Sequence, residues 1–93
     1  MALARVVSFD GVTKDRIEEL EREMGDGPPD DLPAKEIVVL HDADGEKSLV
    51  ILFFDSEDDY KRGDETLNAM STGDTPGQRT SVTKYDVAIR MAV

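Results

Sequence analysis

The feature that most constrains the fold is the strand Ser48–Phe54, in which every residue from Leu49 to Phe54 is large and apolar, so that neither face of the strand is polar. Neighbouring residues of a strand point to opposite faces. This strand therefore carries two apolar sets: Leu49, Ile51 and Phe53 on one face, and Val50, Leu52 and Phe54 on the other. One layer of helices buries only one set. Leaving the other in water forgoes about 1.5–3 kcal/mol for each large side chain.

The second face therefore needs a cover, because soluble monomers rarely expose a contiguous apolar patch. A two-fold homodimer in which the uncovered faces meet is the prediction. The alternative is that a loop, Gly25–Pro33 or Ser71–Thr80, folds over the face. Both loops are rich in Gly and Pro and carry few apolar residues to bury, which favours the dimer.

The remaining patterns place this strand in an α+β domain that spans residues 1–93. Strands are predicted at Arg5–Phe9, Glu36–His41, Ser48–Phe54 and Val82–Met91, and helices after the N-cap residues Thr13 and Ser56. The order β-α-β-β-α-β is typical of a ferredoxin-like sandwich with a four-stranded antiparallel sheet. The dimer would form through the free face of that sheet.

The two helices carry apolar stripes at helical spacing: Ile17, Leu20 and Met24 in the first, and Tyr60, Gly63, Leu67 and Met70 in the second. Gly63 lowers helix propensity by about 1 kcal/mol relative to alanine. A glycine on the buried stripe therefore predicts a close approach of the second helix to the sheet.

Composition excludes several classes of site. The chain has no cysteine, which excludes disulfides and thiolate metal sites, and His41 is its only histidine. The net charge of −10 argues against a nucleic-acid partner. No apolar run is long enough for a membrane span and no secretory signal pattern is present, so a cytoplasmic location is expected. Asp42, Asp44 and Glu46 resemble the start of a calcium loop, but Phe53 occupies the closing position, so no metal is predicted.

Four residues are weak candidates for a site. His41 stands beside Asp42 and is a candidate general base; the alternative is a half-exposed residue at a hairpin mouth. Arg79, expected on a loop, is a candidate anion contact or the partner of an acidic neighbour. Tyr60 and Tyr85 are candidates for ligand contact, against the commoner role of packing in a core.

The element order, the doubly apolar strand Leu49–Phe54 and the acidic helix start Ser56–Asp59 together resemble the dimeric α+β barrel superfamily. That superfamily includes antibiotic-biosynthesis-monooxygenase-like and stress-responsive barrel domains. The segment Gly73–Val82 is similar to one in small bacterial proteins without an assigned function. The resemblance implies a homodimer with an internal cavity, and it carries over no catalytic residues.

Three functions are compatible with these observations. The first is a homodimer that binds a small apolar or aromatic molecule without a cofactor. The second is a cofactor-independent monooxygenase-like enzyme. The third is a non-enzymatic dimerisation or regulatory module. A ligand-sized, partly polar pocket favours binding, whereas a fully packed interior favours the module.

Overall fold

The computed structural model of the chain describes residues 2–23, 32–69 and 77–92. Its elements are β1 (Leu3–Asp10), α1 (Lys14–Glu23), β2 (Glu36–Asp42), β3 (Lys47–Phe54), α2 (Glu57–Asn68) and β4 (Gln78–Asp86). The predicted order β-α-β-β-α-β and the α+β class are therefore confirmed. The predicted stripe residues Met24 and Met70 lie outside the described residues.

The four strands form one sheet in the order β2-β3-β1-β4, and all neighbouring strands are antiparallel. This arrangement is compatible with a ferredoxin-like fold. In the central register Val6 of β1 pairs with Ile51 of β3, and Ile51 pairs with Val38 of β2. The strand predicted to be apolar on both faces therefore lies inside the sheet.

The core lies between the sheet and α2. Leu3, Leu52, Phe54 and Tyr60 form its main cluster, and the Phe54 and Tyr60 rings meet edge to face with centroids 5.4 Å apart. A second cluster joins Val7, Phe9 and Val12, with Ile17 packed against it. Because α1 has no fully buried residue, α2 supplies most of the cover on this face.

The close approach predicted at Gly63 is confirmed. A Cβ atom built on Gly63 would lie 2.6 Å from Cζ of Phe54 and closer still to Cε1. Real Cβ atoms do not come so near to another carbon. The glycine therefore lets the α2 backbone lie directly on the Phe54 ring.

The last strand differs from the prediction. It covers Gln78–Asp86 instead of Val82–Met91, because its partner β1 offers pairing positions only from Asp10 to Leu3, opposite Gln78 and Asp86. Arg79 is consequently a strand residue and not a loop residue. Beyond Asp86 the chain leaves the sheet.

The described ends of the two predicted loops do not cover the second sheet face. Leu32 is buried in the cluster on the α2 side, and residues 78–80 belong to β4. The rest of both loops lies outside the described residues.

Candidate functional site

The sheet surface that faces away from α2 is the candidate interaction surface, and we call it the open face. The strand registers assign to its middle Ala4, Val6 and Ser8 of β1, Val38 and Leu40 of β2, Leu49, Ile51 and Phe53 of β3, and Ser81, Thr83 and Tyr85 of β4. The charged residues of this face lie at its two ends, Glu36 at one end and Asp10, Asp42 and Lys47 at the other. The middle of the face is uncharged, although charged residues make up 34% of the chain.

Neither helix covers the apolar side chains of the open face. Leu40 retains 49% of its accessible surface, Leu49 38% and Tyr85 54%. Val38, Ile51 and Phe53 are half-buried. The prediction that helices bury only one of the two apolar sets of β3 is confirmed.

A concavity of about 310 Å³ occupies one end of the open face. Three consecutive residues from each of the neighbouring strands β1, β2 and β3 line it: Ser8–Asp10, Leu40–Asp42 and Lys47–Leu49. By register, Ser8, Leu40 and Leu49 form its floor, whereas Asp10, Asp42 and Lys47 form its rim. An apolar floor with charges of both signs at the rim suits a small, largely apolar molecule.

The opposite end of the open face is crossed by residues 87–92, which we call the strap. The backbone N–H of Val87 donates to the carbonyl oxygen of Ala2 at 3.0 Å. The Arg90 guanidinium lies 4.3 Å from the centroid of the Phe53 ring and pairs with the Glu36 carboxylate. The strap therefore runs from β4 across the end of the sheet to β2.

His41 does not present its imidazole to the concavity, although its backbone contributes to the lining. The Nε2 atom lies 2.9 Å from the carbonyl oxygen of Val12. A carbonyl oxygen only accepts, so Nε2 donates its proton. The pairing of His41 with Ser48 places the ring on the α2 side of the sheet, where it ties β2 to the segment that precedes α1.

Arg79 belongs to a polar cluster at the end of α2. Its Nη1 donates to Oδ1 of Asn68 at 2.9 Å, and the buried Arg5 donates from Nη2 to the same oxygen at 3.1 Å. Arg5 Nε also donates to Asp64 at 2.8 Å. Among the described residues the partner of Arg79 is therefore the Asn68 amide; the acidic residue nearest to it along the loop, Asp74, lies outside them.

Sequence reasoning missed Arg5 as a member of this cluster. The signal was present, since Arg5 alternates with Leu3, Val7 and Phe9 on the face that the helices cover. A single cation among the buried apolar residues of a strand face needs a carboxylate partner, which the covering helix can supply. Asp64 of α2 is that partner.

The two tyrosines have different roles. Tyr60 is buried against Phe54, and burial, reinforced by the nearby Asp64, raises its pKa above the ordinary value of 10.0. Lys84 lies 5.0 Å above the Tyr60 ring, and its hydrogen bond to Glu57 raises the pKa of Lys84. Tyr85 lies on the open face.

The four candidates named from the sequence do not form one site. His41, Tyr60 and Arg79 lie on the α2 side of the sheet, and only Tyr85 lies on the open face. Within the described residues no hydrogen bond or ring contact joins any two of them. Apart from His41 and Asp42, the residues that line the concavity were not singled out, because a concavity depends on how strand ends are spaced across the sheet.

Comparison with known proteins gives no match: no protein-family model, no curated protein and no solved structure matches this chain. The resemblance to the dimeric α+β barrel superfamily therefore stays a prediction. Among the described residues no three His, Asp or Glu side chains are grouped as metal ligands. No helix in the same part of the chain is long and apolar enough to cross a membrane.

Proposed function

We propose that the protein is a homodimer joined through the open face, and that the dimer binds a small apolar or aromatic molecule in the concavity. The observation that carries the proposal is a partly exposed apolar sheet face, charged only at its ends, with a concavity at one end. Burying the exposed parts of Leu40 and Leu49 stabilises the dimer by about 25 cal/mol for each Å² of apolar surface removed from water.

Charge supports self-association through this face in particular. Both helices carry a surplus of acids, with five Asp or Glu against three Lys or Arg in α1 and five against two in α2. Two chains that met through their helices would bring these acids together. Meeting through the open face keeps the helices on the outside of the dimer, where water screens them.

The proposal is for binding rather than catalysis. The groups at the rim of the concavity are Asp10, Asp42 and Lys47, and the carboxylate of Asp42 accepts a hydrogen bond from the backbone of Gly45. His41, the candidate base, donates from Nε2 on the other side of the sheet. A reacting molecule on the floor would therefore meet no histidine.

Light scattering coupled to size-exclusion chromatography tests the dimer. The informative variant is Leu40→Glu, which puts a charge on the open face. Its matched control is Val39→Glu, the next residue of β2, which is similarly exposed at 37% but belongs to the opposite face. We expect dimers for the wild-type chain and for Val39→Glu, and monomers for Leu40→Glu. A wild-type chain that stays monomeric at all concentrations excludes the proposed dimer.

Thermal unfolding with a panel of small aromatic compounds tests the ligand. Ser8→Phe would fill the floor of the concavity, whereas Ser81→Phe places the same ring on the paired residue of β4, outside it. We expect at least one compound to raise the melting temperature of the wild-type chain and of Ser81→Phe but not of Ser8→Phe. If the chain is dimeric and no compound stabilises it, the dimerisation module is the better description.

A further inference from the structure

We propose that the strap of each subunit covers the concavity of the other, so that Ile89 and Met91 of the partner subunit complete the site. This inference rests on the dimer proposed above. It adds which parts of the two chains meet and which residues a bound molecule would touch.

The strap presents apolar side chains that its own subunit leaves in water. Ile89 retains 79% of its accessible surface and Met91 77%. Arg90, which stands between them, is turned toward Phe53 and Glu36. In an extended segment the neighbours of an inward side chain point outward, so Ile89 and Met91 project away from the sheet that the strap crosses.

The concavity cannot be closed by the strap of the same subunit. The strap is held at Phe53, and the floor of the concavity is at Leu49, four residues back along β3. Four residues of a strand span about 13 Å. While Arg90 contacts Phe53 and Glu36, the apolar side chains of the strap stay at the far end of the open face.

A two-fold dimer brings the two features together. When sheets pack face to face, the axis lies in the plane of the interface. If it runs across the strands, the strap end of each open face lies over the concavity end of the other, and both concavities are covered at once. If it runs along the strands, strap meets strap and concavity meets concavity, so neither concavity is covered by a strap.

The strap also enlarges the surface that a dimer can bury. Four strands of eight residues cover about 500 Å² in projection, and a standard interface buries about 800 Å² of accessible surface on each partner, so side chains beyond the sheet add useful contact. Ile89 and Met91 are long and almost fully accessible. Neither is charged, so they suit the apolar floor formed by Leu40 and Leu49.

Cysteine cross-linking tests the arrangement cleanly, because the natural chain contains no cysteine. One chain carries Met91→Cys, and a second chain, lengthened by a tag, carries Leu49→Cys. Each is oxidised alone and after the two have been mixed and equilibrated, and non-reducing gel electrophoresis separates the products by size. Ile89→Cys with Leu40→Cys is a second pair, used if circular dichroism shows that a variant of the first is unfolded.

We expect a mixed disulfide between the two different chains and little product from either chain alone, because a disulfide requires Cα atoms within about 7 Å. Efficient cross-linking of Met91→Cys with itself would show that strap meets strap and would overturn the inference. The absence of mixed product from both pairs, in a chain that light scattering shows to be dimeric, would overturn it as well. A monomeric wild-type chain would overturn the dimer and the inference together, so the two failures are distinguishable.

Discussion

At the scale of single residues, a few side chains fix the packing of α2 on the sheet, because their size or charge requires particular neighbours. Arg5 is 2% exposed in the middle of an apolar face, and its guanidinium reaches Asp64 and Asn68 on α2. A buried cation without such partners would be strongly destabilising. The pair therefore fixes how α2 sits over β1.

Gly63 supplies the sharpest test at this scale. Gly63→Ala raises helix propensity by about 1 kcal/mol, but the added methyl group would collide with the Phe54 ring. Overpacking of this kind costs about 1–3 kcal/mol. We expect a net loss in the free energy of unfolding, measured by urea denaturation, with the exposed Glu65→Ala as the control for propensity.

The double variant Gly63→Ala with Phe54→Leu isolates the collision. A smaller side chain at position 54 makes room for the methyl group, so alanine at position 63 should cost less in this background than in the wild-type chain. If Gly63→Ala stabilises the wild-type chain, the close approach of α2 to Phe54 is wrong.

Tyr60 makes stability depend on pH in the alkaline range. Burial raises its pKa in the folded protein above the unfolded value of 10.0. The unfolded chain therefore releases this proton first, so the contribution is fully present below pH 10 and is lost as the pH rises through the folded pKa. The limiting slope is about 1.4 kcal/mol per pH unit.

The measurement is the free energy of unfolding of the wild-type chain and of Tyr60→Phe between pH 9 and pH 12, from about one unit below the ordinary value to about two units above it. The stability of the wild-type chain should fall relative to that of Tyr60→Phe as the pH rises above 10. A constant difference across the range would contradict a raised pKa at Tyr60.

At the scale of elements, one corner of the molecule joins three connections. The Val12 N–H donates to the carbonyl oxygen of Glu46 at 2.7 Å, and His41 Nε2 donates to the carbonyl oxygen of Val12. Gly77 packs so closely here that a Cβ atom would lie 2.9 Å from Cγ2 of Val12. The β2–β3 turn, the β1–α1 connection and the start of β4 are thus held together.

This corner gives His41 a structural role that can be separated from a role in binding. His41→Ala leaves the Val12 carbonyl without its donor, and we expect the free energy of unfolding to fall by about 1–2 kcal/mol. His41→Gln keeps an N–H donor on a side chain of similar reach and should recover part of the loss. Urea denaturation of the three chains measures both effects.

If His41 acts instead as a general base on a bound molecule, as its place beside Asp42 suggests, His41→Ala should change ligand binding or turnover without unfolding the chain. If His41→Ala keeps the wild-type stability while it abolishes stabilisation by a bound compound, that expectation holds and the structural role is wrong.

The elements that the sequence predicted well are those whose signals are local. The strand Ser48–Phe54, the Ser56 cap, which accepts from the Asp59 backbone at 3.1 Å, and the glycine of α2 were all visible in short segments. The limits of β4 were not, because they depend on where β1 offers pairing positions. The alternation of Tyr85 with later apolar residues continues past the sheet, into a strap whose role depends on Phe53 and Glu36.

At the scale of the whole molecule, charge and apolar surface are segregated. The acidic side chains lie on both helices and at the ends of the strands, whereas the middle of the open face carries none. The candidate site could not be predicted from the sequence for the same reason. It is a property of one whole face, to which four strands contribute alternate residues, and no segment of the chain contains it.

This segregation predicts how salt acts on the proposed dimer. Each chain carries a net charge of −10, so association brings two polyanions together while the apolar middle of each open face supplies the attraction. Repulsion between the chains reaches over a Debye length of about 30 Å at 0.01 M salt but only about 10 Å at 0.1 M. Added salt therefore weakens the repulsion and leaves the apolar contact intact. The dissociation constant, measured by analytical ultracentrifugation, should fall as sodium chloride is raised over this range. Lys47→Glu, which adds negative charge at the rim, should steepen the dependence. A dimer that instead dissociates as salt is added would be held mainly by ion pairs between the chains, and the apolar middle of the open face would not supply its attraction.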